Sequence, residues 1–251
     1  MNTPARERPP KPTAPVLVAA GSAALLALLA VVVAVRNGAP LPGDLAAHTW
    51  SLDHRPPVAL AVARAVTATG TGAVPYVIAA VAGLLAAVPR TTATSQPGRT
   101  AVASGAGRGS VLAVAAALAF LALGQVLRFG LMKAVGRPRP PVADWATHAS
   151  GSAFPSGHAT TSALAAGLLG WALLAGSRRI RRPGPRRTVC VLLAGWAVAV
   201  GLSRVYLGVH WVADVIAGWS FAMCWIAVGI ALAPLLRSSI RIPKATAPGG
   251  R

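Results

Sequence analysis

Residues 188–236 read TVCVLLAGWAVAVGLSRVYLGVHWVADVIAGWSFAMCWIAVGIALAPLL. Two apolar runs, 188–208 and 211–236, are joined at Val209-His210. Each is long enough to cross a bilayer, which takes about 20 residues of helix. Charge inside them is confined to Arg204 and Asp214, both close to the join. A stretch of this kind is a helical hairpin in a membrane, with polar side chains gathered at its tip.

Working outward, four further apolar runs of similar length lie at 14–35, 68–88, 111–133 and 158–176. The expected fold is all-α: a polytopic membrane bundle of six transmembrane helices. Residues 57–66 are apolar but short and are interrupted by Arg64. They read as a helix at the interface or beside the bundle. The first run follows a basic, Pro-rich stretch and ends without a clear cleavage site, so it is expected to stay as the first helix.

Composition agrees. Of 251 residues, 55% are hydrophobic and 12% are charged, against about 25% charged in soluble domains. Mean hydropathy is +0.61. These values exclude a soluble two-domain enzyme, and a disordered chain despite 21 Pro and 26 Gly. Two cysteines, Cys190 and Cys224, both in apolar runs, exclude a disulfide framework and a Cys-rich metal site.

The net charge is +19. The basic residues sit in short clusters between apolar runs, as in cytoplasmic membrane loops, so nucleic acid is not an expected partner. The amino terminus, the loop at 89–110, the Arg-rich loop at 177–187 and the carboxyl tail fall on one side of a six-helix chain. The positive-inside rule makes that side cytoplasmic, with both termini inside. Residues 1–12 and 237–251 read as disordered cytoplasmic tails, 13–236 as the membrane domain and 91–109 as a flexible loop. Arg137 and Arg139 lie on the outer side, against the rule, and an anionic ligand is a reason for them to be there.

Three polar groups converge on that outer face: Lys133 with Arg137-Pro138-Arg139-Pro140, Pro155-Ser156-Gly157-His158, and Ser203-Arg204 with His210 and Asp214. Ionisable residues near spans are functional candidates. His210 and Asp214 are four apart and share a helix face. Asp214 can fix the tautomer of His210 and leave its other nitrogen free to attack; a buried, self-satisfied pair is the plain alternative. Arg204, Arg139 and Lys133 are suited to phosphate oxygens, although a lone Arg at a helix end also snorkels to headgroups. Ser156 and Gly157 open a helix whose free N–H groups suit a phosphate, with His158 placed as a general acid. Trp145 and His148, in 141–154, are candidates for the entrance, with an interfacial anchor the plainer reading of Trp145.

These residues resemble the phosphatidic acid phosphatase type 2 superfamily, which includes lipid phosphate phosphatases, undecaprenyl pyrophosphate phosphatases and vanadium-dependent haloperoxidases. The second motif of that superfamily, Pro-Ser-Gly-His, stands intact at 155–158. Its third stands intact as Ser203, Arg204, His210 and Asp214. The first, Lys, six residues, Arg-Pro, departs: Lys133 precedes Arg139-Pro140 by five residues, and Met132 occupies the lysine's place. Lys133 is the expected cation and Arg137 the alternative. The resemblance covers about 110–236 and implies a metal-independent phosphatase needing no cofactor. His210 forms a phosphohistidine, Asp214 orients it, and His158 protonates the leaving oxygen and then activates water. Lys133, Arg139, Ser156, Gly157 and Arg204 hold the phosphate.

The expected function is therefore hydrolysis of a lipid phosphate or polyprenyl pyrophosphate at the outer face of a bacterial cell membrane, with polyprenyl pyrophosphate the first guess. A vanadate-dependent haloperoxidase would use the same pocket, but those relatives are soluble. A basic membrane scaffold or transporter would explain the hydropathy and charge without explaining the motifs.

Overall fold

The computed structural model describes residues 13–87, 104–175 and 183–239. The expected tails at 1–12 and beyond 239 lie outside the described residues. So do most of the loop expected at 91–109 and Arg178, Arg179, Arg181 and Arg182 of the basic cluster.

The described residues form α1 (Ala14–Val35), α2 (Pro42–Asp53), α3 (Pro57–Ala68), α4 (Ala73–Ala87), α5 (Ser104–Val135), α6 (Gly157–Ala175), α7 (Pro183–Tyr206) and α8 (Val212–Ser239). A single 3-10 turn, Val142–Asp144, interrupts the α5–α6 connection. No strand occurs among them. The protein is an all-helical, multi-pass integral membrane protein.

Five helices are long and apolar enough to span alone: α1, α5, α6, α7 and α8. At about 1.5 Å per residue, the 22 residues of α1 cover the hydrocarbon layer. The span expected at 68–88 is not a single helix of spanning length. α4 has 15 residues, too few to cross unaided. It qualifies only together with α3, to which it is joined at a 46° bend. Gly70 and Gly72 lie in this break, and Gly72 adopts φ +69°. The segment at 57–66, expected at the interface or beside the bundle, forms α3, which packs on α7 and joins α4 in one bent apolar pair. Other boundaries also move: α5 begins at Ser104 instead of 111, α7 begins at Pro183 instead of 188, and α8 runs past 236 to Ser239.

Burial sorts the helices. α6 is central, with Ala159, Thr160, Thr161, Ser162, Leu164, Ala165 and Leu168 buried against α4, α7 and α8. α1 and α5 are peripheral, and Leu17, Leu28, Val31, Val111 and Leu112 are exposed, as lipid-facing side chains should be. Where helices meet without a hydrophobic drive, small residues let backbones approach. Gly83 of α4 is such a point: a Cβ there would lie 2.6 Å from the Cα of Val114 and 2.7 Å from the carbonyl oxygen of Ala113 on α5.

Gly83→Ala should accordingly push α4 from α5 and destabilise the bundle by about 1–3 kcal/mol, the usual range for overpacking. Gly21→Ala, with nothing within 4 Å, serves as the reference. Thermal unfolding in detergent should show a lower midpoint for the first variant only. Equal midpoints would mean that the α4–α5 contact is not as tight as described.

Candidate active site

The turn Leu207–Trp211 between α7 and α8 carries His210, and α8 begins with Asp214 in its first turn. The Asp214 carboxylate is fully buried. One oxygen, Oδ2, accepts the backbone N–H of Trp211 at 2.9 Å and lies 3.4 Å from Nδ1 of His210. The other, Oδ1, accepts Nη1 of Arg137 at 2.7 Å. The two side chains read from the four-residue spacing do face each other, although Nδ1 makes no hydrogen bond within the protein, and Asp214 has a cation behind it.

Arg137, the alternative cation for the first motif, turns away from the pocket. Its guanidinium is buried and bridges Asp214 to Asp44 of α2, with Nη2 donating to Asp44 Oδ2 at 2.7 Å. It also donates to the carbonyls of Gly38 and Ala39. Asp44 further accepts the N–H groups of Leu41 and Ala213. The anionic partner of Arg137 is thus a pair of internal carboxylates, not the ligand expected from its place on the outer side.

Arg139 makes five contacts. It donates to the carbonyls of Ser150, Gly151, Ser152 and Val209, and Nη1 meets Nε2 of His210 at 2.9 Å. A guanidinium has no acceptor, so Nε2 must offer its lone pair and the ring proton sits on Nδ1, facing Asp214. Burial pushes the His210 pKa well below the usual imidazole value, with the charges of Arg139 and Arg204 acting in the same direction. The ring is neutral at physiological pH, as a nucleophile requires.

The second motif opens α6. Ser156 donates its backbone N–H to the carbonyl of Asp214 at 2.9 Å, which ties the start of α6 to the start of α8. Gly218 permits this closeness: a Cβ there would lie 2.8 Å from the Ser156 carbonyl oxygen. The Ser156 hydroxyl is buried and makes no hydrogen bond within the protein, and the same holds for Nε of Arg204. Arg204 is otherwise held by Thr67 of α3, at 3.2 Å from Nη1. His158 approaches Thr71 Oγ1 at 3.3 Å through Nε2 and feels the charges of Arg204, His210, Arg139 and Arg128. Buried donors without protein acceptors, converging on a helix amino terminus, make an anion cradle.

The structure thus brings together His158, His210, Asp214, Arg139, Arg204, Ser156 and Gly157. Lys133 is not brought to them: it is exposed, with its ammonium 5.5 Å from the ring centre of its neighbour Phe129. Two of the entrance candidates behave differently from each other. Trp145 is half-buried and donates to the Pro140 carbonyl at 2.9 Å, whereas His148 is exposed. Among the described residues, no three His, Cys, Asp or Glu side chains gather as a metal site would need.

Sequence reasoning missed Asp44, His48 and Arg128. His48 bonds Asp144 through Nε2 at 2.9 Å and stands against Trp211, while Arg55 donates to the carbonyls of Asp144 and Tyr206. Together these pin α2 over the turn that carries His210. The signal of Asp44 and His48 was faint, because α2 is polar enough to read as a loop.

The buried neutral His210 sets a pH dependence of stability. Its folded pKa is depressed, so below about 6.5 the unfolded chain takes up a proton that the folded chain refuses, and stability falls as pH falls by up to about 1.4 kcal/mol per unit. Between pH 7.5 and 5, the unfolding midpoint of the wild type should drop more than that of His210→Gln. Parallel drops would show that His210 is not held neutral.

Comparison with known proteins shows the family and the fold. The family model described as PAP2 superfamily matches residues 112–237, which contain all three motifs. Phosphatidylglycerophosphatase B of Bacillus subtilis is 36% identical over 90 residues, which span 36% of this chain and 42% of that protein. The fold is similar to that of a crystal structure described as a transmembrane PAP2 type phosphatidylglycerolphosphate phosphatase from Bacillus subtilis. The TM-score is 0.65 at 22% identity, over 90% of this chain and 98% of the other. With half of its length matched by the family model, the chain belongs to the PAP2 superfamily.

Proposed function

We propose that the protein is a membrane phosphatase that removes phosphate from a lipid by way of a phosphohistidine on His210. The observation that carries this reading is the arrangement around that ring. Nε2 carries the lone pair, held by Nη1 of Arg139 at 2.9 Å, Nδ1 faces a buried carboxylate at 3.4 Å, and a cradle of cations and N–H groups lies alongside.

In the first step Nε2 attacks phosphorus and the bond from phosphorus to the lipid oxygen breaks. His158 gives its proton to that oxygen, and the Asp214 carboxylate stabilises the imidazolium character that grows on His210. In the second step water attacks phosphorus, His158 takes a proton from it, and the N–P bond breaks to release phosphate and neutral His210. Ser156, Gly157, Arg204 and Arg139 surround the equatorial oxygens, where charge concentrates in the transition state. Arg139 has a double part. It holds Nε2 at 2.9 Å before substrate arrives, and a phosphate oxygen must draw that N–H away to free the lone pair.

The active site opens on the extracytoplasmic side in this reading, because the basic loops put both termini in the cytoplasm. The name of the Bacillus subtilis relative makes a phosphatidylglycerol phosphate the first substrate to test, ahead of polyprenyl pyrophosphate.

Phosphate release in detergent with EDTA present should be measured on phosphatidylglycerophosphate, phosphatidic acid and undecaprenyl pyrophosphate. Wild type should release phosphate from at least one, and His210→Ala should lose about 10⁴-fold or more, as nucleophile removals do. Release that survives in His210→Ala would remove the nucleophile from this account. Folded wild type inert toward all three would contradict the phosphatase reading itself.

A further inference from the structure

The first motif leaves a place unfilled by sequence alone. Seven residues ahead of Arg139, where the motif has lysine, this chain has Met132. The methionine is buried, and it packs by its methyl group 3.3 Å from where a Cβ on Gly151 would stand. Lys133 is one residue round the helix, about 100° away, and points to the exterior.

One turn earlier on α5, on the same face as Met132, stands Arg128. Its guanidinium lies over the start of α6: a Cβ on Gly157 would be 3.5 Å from both Cζ and Nη1 of Arg128. Nη1 leans on the sulfur of Met132 at 3.4 Å, which steers the side chain inward. Nε is buried and makes no hydrogen bond within the protein. Its charge acts on His158, His210 and Arg139.

This placement is unfavourable on its own. Arg128 sits against the positive end of the α6 dipole and beside Arg139, and no carboxylate among the described residues lies within ion-pair distance of it. An Arg near a helix end that merely snorkels would turn to the membrane surface, not to a second helix amino terminus. A dianion shared with Ser156 and Arg204 resolves the repulsion, and the buried, unpartnered Ser156 hydroxyl marks the same spot.

We propose that Arg128 is the α5 cation that grips the phosphoryl group in this chain, reaching from one turn below the motif's lysine position, with Met132 as its rest. This rests on the phosphatase reading above. It also makes Arg128 and position 132 interchangeable sources of one charge.

The test uses full-length protein in detergent, with two readouts: phosphate release from the best lipid substrate, and stabilisation against heat by orthovanadate, which reports the anion site without turnover. Arg128→Ala should lower kcat/KM by about 100-fold or more, the usual loss for one transition-state donor, and should lose the orthovanadate shift. Lys133→Ala should lose at least tenfold less. The double variant Arg128→Ala with Met132→Lys should recover much of both readouts, which a variant that had only lost its fold would not. Arg128→Ala with wild-type turnover and a wild-type orthovanadate shift would overturn the proposal, as would a larger loss at Lys133. If wild type binds orthovanadate through Arg128 but hydrolyses no lipid, the phosphatase reading fails and the assignment of Arg128 to the anion site stands.

Discussion

The site depends on one buried cation between two buried carboxylates. Arg137 holds Asp214 on one side and Asp44 on the other, both at 2.7 Å. Three charges withdrawn from water are expensive, and such an arrangement persists only when nearly every donor and acceptor is used. Here they are: Arg137 also reaches the carbonyls of Gly38 and Ala39, Asp44 takes the N–H groups of Leu41 and Ala213, and Asp214 takes that of Trp211. Losing one partner of a buried pair typically costs about 3–5 kcal/mol. The cluster therefore locks the α1–α2 turn, the α5–α6 connection and the start of α8 to one another. His210 takes its orientation from the last of these.

The chemistry follows from this division of labour among the arginines. Arg137 is turned inward and serves the carboxylate behind the histidine. Arg139 ties the 150–152 loop to the turn and touches His210 directly. Arg204, anchored by Thr67, and Arg128, lying over Gly157, face the cradle itself. A phosphoryl transition state spreads charge over three oxygens, and in the proposed reaction the cations of α5, α7 and the α5–α6 loop would meet it from different directions.

Much of this was legible in the sequence for a simple reason. Apolar runs of span length register directly as helices, and the second and third motifs are local, so Ser156, His158, Arg204, His210 and Asp214 could be placed relative to one another before any fold was known. What was not legible depended on long-range pairing. α2 buries Asp44, His48 and Ser51 in place of an apolar stripe, so hydropathy passes over it. Arg137 looked like a ligand-binding residue because its carboxylate partners are 93 and 77 residues away. Arg128 was hidden inside an apolar run, where a single charge looks like an interruption, and Lys133 drew the eye because it stands nearest the motif spacing. The run at 68–88 misled for a local reason: the break around Gly70 and Gly72 leaves only the short α4 within it.

The most direct test of the account is to stop the reaction in its first turnover and look for the phosphate on the protein. With a lipid substrate labelled in its phosphate, rapid quenching should give a chain carrying acid-labile, base-stable label, and peptide mapping should place it on His210. Label on another residue, or none at any time while turnover proceeds, would contradict a covalent step at His210.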